Sequence, residues 1–120
     1  MDVQINTIRK EGDASEEYIL LDVLADCDIG EYLIADNTFT DKGNVSNKLR
    51  HVYWFPDKQV KKGELVSLRT GKGKNTTTTN NNGIKVHRFY WNLGSPVWND
   101  DNADAGILMH ILEWSHKKAP

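Results

Sequence analysis

A single cysteine, Cys27, leaves this chain without an internal disulfide, so its fold does not depend on an oxidising compartment. Cys27 reads as a small, partly buried side chain rather than a reactive thiol. No apolar run approaches the roughly 18 residues of a membrane-spanning helix. The opening MDVQINTIRKEGD lacks both the basic n-region and the apolar stretch of a secretory signal. The sequence as given therefore predicts a cytoplasmic protein with no membrane span. Heptads are missing, which excludes a coiled coil, and no stretch of ten or more residues shows a capped 3.6-residue period, so any helix is minor. The four histidines, His51, His87, His110 and His116, have no metal-ligand spacing and no neighbouring cysteine pair, which argues against zinc. No nucleophile elbow or paired-carboxylate motif marks an active site, so the chain is expected not to be an enzyme and to need no cofactor.

What is present fits one small domain spanning residues 1–120, with 38% hydrophobic and 27% charged residues placing it among ordinary globular chains rather than disordered ones. The apolar spacing is mostly two. Val3-Ile5, Tyr18 to Leu24, Tyr32 to Ala35, Val52 to Phe55, Leu65 to Leu68, Ile84 to Trp91 and Ile107 to Leu112 are short runs rich in β-branched and aromatic types. Asp57-Lys58, Lys62-Gly63, Asn82-Gly83 and Gly94-Ser95-Pro96 supply the turns between them. Seven or more such strands predict an all-β chain folded as an antiparallel β-sandwich. Tyr18 to Leu24 and Ile107 to Leu112 are apolar on both faces, as for central strands, whereas Val66 and Leu68 alternate with Ser67 and Arg69, as for a half-exposed one.

Gly71 to Gly83, reading GKGKNTTTTNNNG, has no apolar residue and is expected to be a mobile polar loop outside the core. Its Gly71-Lys72-Gly73-Lys74 lacks the spacing and the Lys-Ser/Thr pair of a phosphate loop. Asn75-Thr76-Thr77 and Asn44-Val45-Ser46 fit the glycosylation pattern, a chance match without a secretory signal. Asp100, Asn102 and Asp104 offer oxygen ligands, but Ala105 and Ile111 stand where a calcium loop needs Gly and Glu, so these side chains are expected to bond the turn backbone.

The most informative segment runs from Tyr90 to Asp101, YWNLGSPVWNDD, in which two tryptophans flank a Gly-Ser-Pro turn. Trp91 and Trp98, with Trp54 and Phe55, are expected to pack the core and its turns; a ligand platform would instead need exposed ring faces. Taken in order, Glu17 to Leu21, Ile29 to Asn37, His51 to Pro56, Val60 to Glu64, Thr70 to Gly73, the YWNLGSPVWNDD segment and Ala103 to Met109 resemble the lamin tail domain family over roughly residues 3–112. The most specific pieces are Phe55-Pro56, Lys62-Gly63-Glu64, Thr70-Gly71-x-Gly73 and Val97-Trp98-Asn99. Members of that family often carry Gly-Trp where this chain has Glu31-Tyr32. The resemblance implies an immunoglobulin-like β-sandwich serving as a structural or interaction module, of a kind that prokaryotic relatives often append to secreted or membrane-associated hydrolases and nucleases; the sequence as given shows neither such a partner domain nor a coiled-coil rod, so no filament is implied.

Charge is distributed unevenly. Residues 1–56 hold five basic against eleven acidic side chains, residues 57–91 hold eight against two, and the remainder two against four. Lys58, Lys61, Lys62, Arg69, Lys72, Lys74, Lys85 and Arg88 lie on adjoining predicted strands and loops, and one positive face formed from them would attract polyanions. Some lamin tails bind DNA and chromatin proteins, which the resemblance extends to this region as a weak nucleic-acid or anionic-surface site. The leading expectation remains a protein partner or self-association through a surface strand, with lysines such as Lys85 blunting unwanted edge pairing.

Overall fold

The structure, a computed structural model, describes residues 1–38, 48–98 and 104–120. Ten strands occur among them: β1 Val3–Arg9, β2 Tyr18–Val23, β3 Cys27–Asp28, β4 Tyr32–Thr38, β5 Val52–Trp54, β6 Gln59–Val60, β7 Leu65–Arg69, β8 Thr76–Thr79, β9 Lys85–Tyr90 and β10 Asp104–His110. A single 3₁₀ turn, Ile29–Glu31, is the only helical element described, and Asp28 caps it by accepting from the Gly30 N–H at 2.8 Å. None of the described helices is long and apolar enough to cross a membrane. The chain is therefore all-β, with a five-stranded sheet ordered β1-β2-β7-β9-β8, a three-stranded sheet ordered β10-β4-β5, and the small pair β3-β6.

Period-two patterning decides which side chains turn inward. Ile19, Leu21 and Val23 of β2 face the same way as Val66 and Leu68 of β7, with Ile19 opposite Leu68 and Leu21 opposite Val66. Tyr32 and Ile34 of β4 lie opposite His110 and Leu108 of β10. Both larger sheets feed one buried cluster that includes Val3, Ile19, Leu21, Ile34, Phe55, Leu68, Phe89 and Trp98. Phe55 and Phe89 meet edge to face at 5.1 Å between ring centres, joining the segment after β5 to β9.

β2 lies inside its sheet, as its two apolar faces predict. β10 does not: it ends the three-stranded sheet. Its second apolar side is instead part of an outer face on which Met109, Leu33 and Trp54 form one row and Ile107, Ala35 and Val52 the next. β7 lies inside its sheet; Val66 and Leu68 face the core and Ser67 and Arg69 the outer side, as their alternation predicts, but neighbouring strands cover Ser67 to 6% exposure.

Two further expectations change. Thr76–Thr79 form a strand where a continuous loop is expected, because four β-branched residues suit the pleat and pair their backbones with β9. All four threonines remain exposed, so the segment adds nothing to the core. The larger sheet is also not wholly antiparallel, since β7 and β9 run parallel, Leu65 opposite Val86 and Arg69 opposite Tyr90. After β7 the chain skips one position, descends as β8, and returns through the Asn80–Gly83 hairpin as β9 in the place left between. Gly83, at φ +76°, makes that hairpin. Gly73 lets the crossover lie flat on Tyr90, whose ring carbons would stand 2.5 Å from a Cβ.

Asn44-Val45-Ser46, Asn99 and the oxygen-rich run from Asp100 to Ala103 lie outside the described residues, as does the Asp104 side chain.

Candidate functional site

The eight basic residues do not form one face. Lys61 and Lys62 precede β7, in a turn tied to the 23–26 segment by the Gly63 N–H to Val23 carbonyl bond and the Lys62 N–H to Asp26 bond. Lys72 and Lys74 follow the same strand, and its five residues separate the two pairs by roughly 16 Å. Arg69 and Arg88 stand on the outer face of the five-stranded sheet, where a concavity of about 230 Å³ is lined by Tyr18, Leu20, Ser67 and Val86 together with both arginines. That volume is below the roughly 300 Å³ at which small-molecule pockets begin. Arg69 is already engaged, 3.8 Å from Glu16 and 5.9 Å from the Tyr18 ring. Lys85 lies on β9, one strand in from the border, so it does not guard an edge.

Lys58 and Arg88 do converge, on β8. The Lys58 ammonium donates to the Thr77 hydroxyl and lies 5.8 Å from the Phe89 ring centre. Arg88 Nε donates to the Thr78 hydroxyl at 2.8 Å. Adjacent threonines point to opposite sides of the sheet, so one cation crosses the border strand on each side. Backbone pairing completes the geometry. The Asn80 N–H donates to the Ile84 carbonyl at 2.9 Å, which fixes the hydrogen-bonded pair nearest the turn. Alternation then makes Thr78/Val86 and Thr76/Arg88 bonded pairs and leaves Thr77/His87 and Thr79/Lys85 non-bonded. The backbone N–H and C=O groups of Thr77 and Thr79 consequently face away from β9, and among the described residues no strand pairs with them.

The opposite border of this sheet is built differently. β1 carries a register irregularity between Ile5 and Thr7 and ends in Arg9, both features that discourage strand addition. β8 has no bulge, proline or charged residue of its own.

Three histidines pair with carboxylates. His110 Nε2 lies 3.0 Å from Glu31 and stacks on Tyr32 at 4.5 Å between ring centres. His51 Nδ1 donates at 2.9 Å to Asp36, whose second oxygen is 2.8 Å from Arg50 and whose side chain is fully buried. An aspartate orienting a histidine is half of a nucleophilic relay, but His51 meets no hydroxyl or thiol among the described residues. No three His, Cys, Asp or Glu side chains gather as a metal site among those residues. Burial pushes the Cys27 thiol up from its ordinary range, reinforced by the carboxylates of Asp2, Glu31, Asp28 and Asp26, so it stays protonated at neutral pH.

His87, nearly buried, donates from Nε2 to Glu64 at 2.8 Å, and Glu64 also accepts from the Lys61 N–H at 2.9 Å. Burial acts to raise the Glu64 carboxyl, but the His87 and Lys61 bonds outweigh it and the net direction is downward. A lowered folded-state pKa contributes stability that is present above the ordinary glutamate value of 4.5 and is lost as pH falls through the folded value. Wild type should therefore exceed Glu64→Gln in denaturation midpoint at pH 6, with the gap closing as pH drops below 4.5. A gap constant from pH 6 to pH 3 would refute this coupling.

The aromatics divide. Phe55 and Trp98 are buried at 2% exposure, and Trp91 is half-buried between Tyr53 and Trp98. Trp54 is not a core residue: alternation along β5 turns Tyr53 inward and leaves Trp54 45% exposed. Its indole N–H donates to the Gly30 carbonyl at 2.7 Å and its ring meets Trp114 edge to face at 4.9 Å. Iodide should therefore quench a fluorescence component that Trp54→Phe and Trp114→Phe together remove, leaving emission from buried Trp98 unquenched.

The residue that sequence reasoning passes over is Glu17, fully buried beside β2. One carboxylate oxygen accepts from the Thr70 hydroxyl at 2.7 Å and from the Val97 N–H, with the Trp98 N–H at 3.4 Å, and the other accepts from the Gly12 N–H at 3.1 Å. The only sequence signal is a charged residue directly preceding an apolar strand. Protein-family models and curated protein sequences both give no match to this chain.

Proposed function

We propose that this chain is a noncatalytic interaction module with an immunoglobulin-like β-sandwich of the lamin tail type, binding a protein partner through the β8 border. The observation that carries the reading is the outward-facing backbone of Thr77 and Thr79, which no strand pairs among the described residues, on a border strand without the usual guards. The lamin-tail resemblance is supported by the way its pieces meet: Glu17, Thr70 and Val97-Trp98, from three separate motifs, converge on one carboxylate. A cytoplasmic setting suits the single unpaired Cys27.

Nucleic-acid binding is the second reading, and the separation of Lys61 and Lys62 from Lys72 and Lys74 weakens it, because a phosphate backbone is tracked by contiguous charge. Affinity capture from native lysate, using the intact chain and one with residues 72–82 shortened, tests the first reading. A protein retained by the first and lost from the second is the expected result. DNA retention across a salt series, lost on charge reversal at Lys61, Lys62, Lys72 and Lys74, with no protein retained, would replace it with the second.

A further inference from the structure

We infer that the partner adds an extended, acidic strand to β8, carrying carboxylates at two consecutive positions, one for Lys58 and one for Arg88. This deepens the proposed function and rests on it. A strand laid beside β8 must use the outward N–H and C=O groups of Thr77 and Thr79. Its own side chains alternate between the two sides of the sheet, and each side presents a different cation to the incoming strand. Lys58 reaches the Thr77 hydroxyl on one side, and Arg88 reaches the Thr78 hydroxyl on the other. Neither cation has a carboxylate within ion-pair distance among the described residues, whereas Arg69 has Glu16. Two neighbouring acidic residues therefore complete both sides of the border at once, with a flanking β-branched residue on each side matching the threonines.

The same geometry disfavours a second copy of this chain. Antiparallel pairing of β8 with itself has to use the outward groups of Thr77 and Thr79, so it sets Thr77 of one copy opposite Thr79 of the other and brings two Lys58 ammonium groups to one side of the joined sheet. The edge itself is permissive, since exposed threonines suit the pleat of an added strand. Specificity comes from the charges at its margins, as like charges repel a basic strand and attract an acidic one.

The test uses the isotope-labelled full chain and two synthetic peptides of one length, Thr-Val-Glu-Asp-Val-Thr and Thr-Val-Lys-Lys-Val-Thr. Amide hydrogen exchange and backbone chemical shifts are read by NMR. The acidic peptide should slow exchange at Thr77 and Thr79, and the lysine peptide should not. Thr79→Pro removes an outward N–H without removing a bond to β9, and should weaken the acidic peptide roughly ten-fold while Thr76 and Thr78 stay protected. Lys58→Glu combined with Arg88→Glu tests the same contact without touching the backbone, and should reverse the preference toward the lysine peptide. Binding that survives Thr79→Pro, equal binding of both peptides, shifts mapping away from residues 76–79, or no binding at millimolar peptide would each overturn the inference. A lysate partner retained equally by wild type and Thr79→Pro would sink this strand-addition site while leaving the interaction module intact.

Discussion

Glu17→Ala should lower the unfolding free energy by about 4 kcal/mol, a large share of what a domain of this size possesses. The carboxylate is fully buried and serves the Thr70 hydroxyl and the N–H groups of Gly12 and Val97. Removing it strands those donors away from water, at about 1–3 kcal/mol for each that finds no replacement. Glu17→Gln keeps the shape and one acceptor oxygen but turns an amide N–H₂ toward a donor, and should cost about 2 kcal/mol. The measurement is the urea midpoint at constant slope. A loss under about 1 kcal/mol for the alanine variant would mean that the three segments hold together without this carboxylate.

Trp98→Ala should cost about 3–5 kcal/mol, as expected for emptying a large aromatic site in a packed interior. Trp98 is 2% exposed, has the Trp91 ring at 6.0 Å, and approaches Gly106 so closely that a Cβ there would lie 3.6 Å from its indole nitrogen. That nitrogen is buried and meets no acceptor among the described residues. Trp98→Phe therefore sheds an unsatisfied donor along with volume, and should cost about 1–2 kcal/mol. Because the Val97 and Trp98 N–H groups both face Glu17, the Glu17→Ala and Trp98→Ala losses should not add. Strict additivity in a double-mutant cycle would show that the turn and the carboxylate act separately.

The strands were legible wherever apolar residues alternate. Tyr18 to Val23 shows its interior place directly, because both of its sides are hydrophobic. The same pattern misleads for β10, where the second hydrophobic side belongs to an outer face shared with Trp54 and Val52 rather than to a buried layer. Thr76 to Thr79 carries no hydrophobic signal at all, and becomes a strand through backbone pairing with β9. Trp54 looked like core because tryptophan is large and apolar, yet one residue of register sends it outward and Tyr53 inward.

By itself the sequence determined that the chain is all-β, that Trp98 and Phe55 are buried, and that basic side chains concentrate between residues 57 and 91. Those properties are local: periodicity, side-chain size and charge are carried residue by residue. Only the tertiary structure decided that the basic residues separate to both ends of β7, that Lys58 and Arg88 alone meet across β8, and that Glu17 joins segments 80 residues apart. Each depends on strand order and on which backbone groups a neighbour already occupies, and neither is written in the spacing of any one segment.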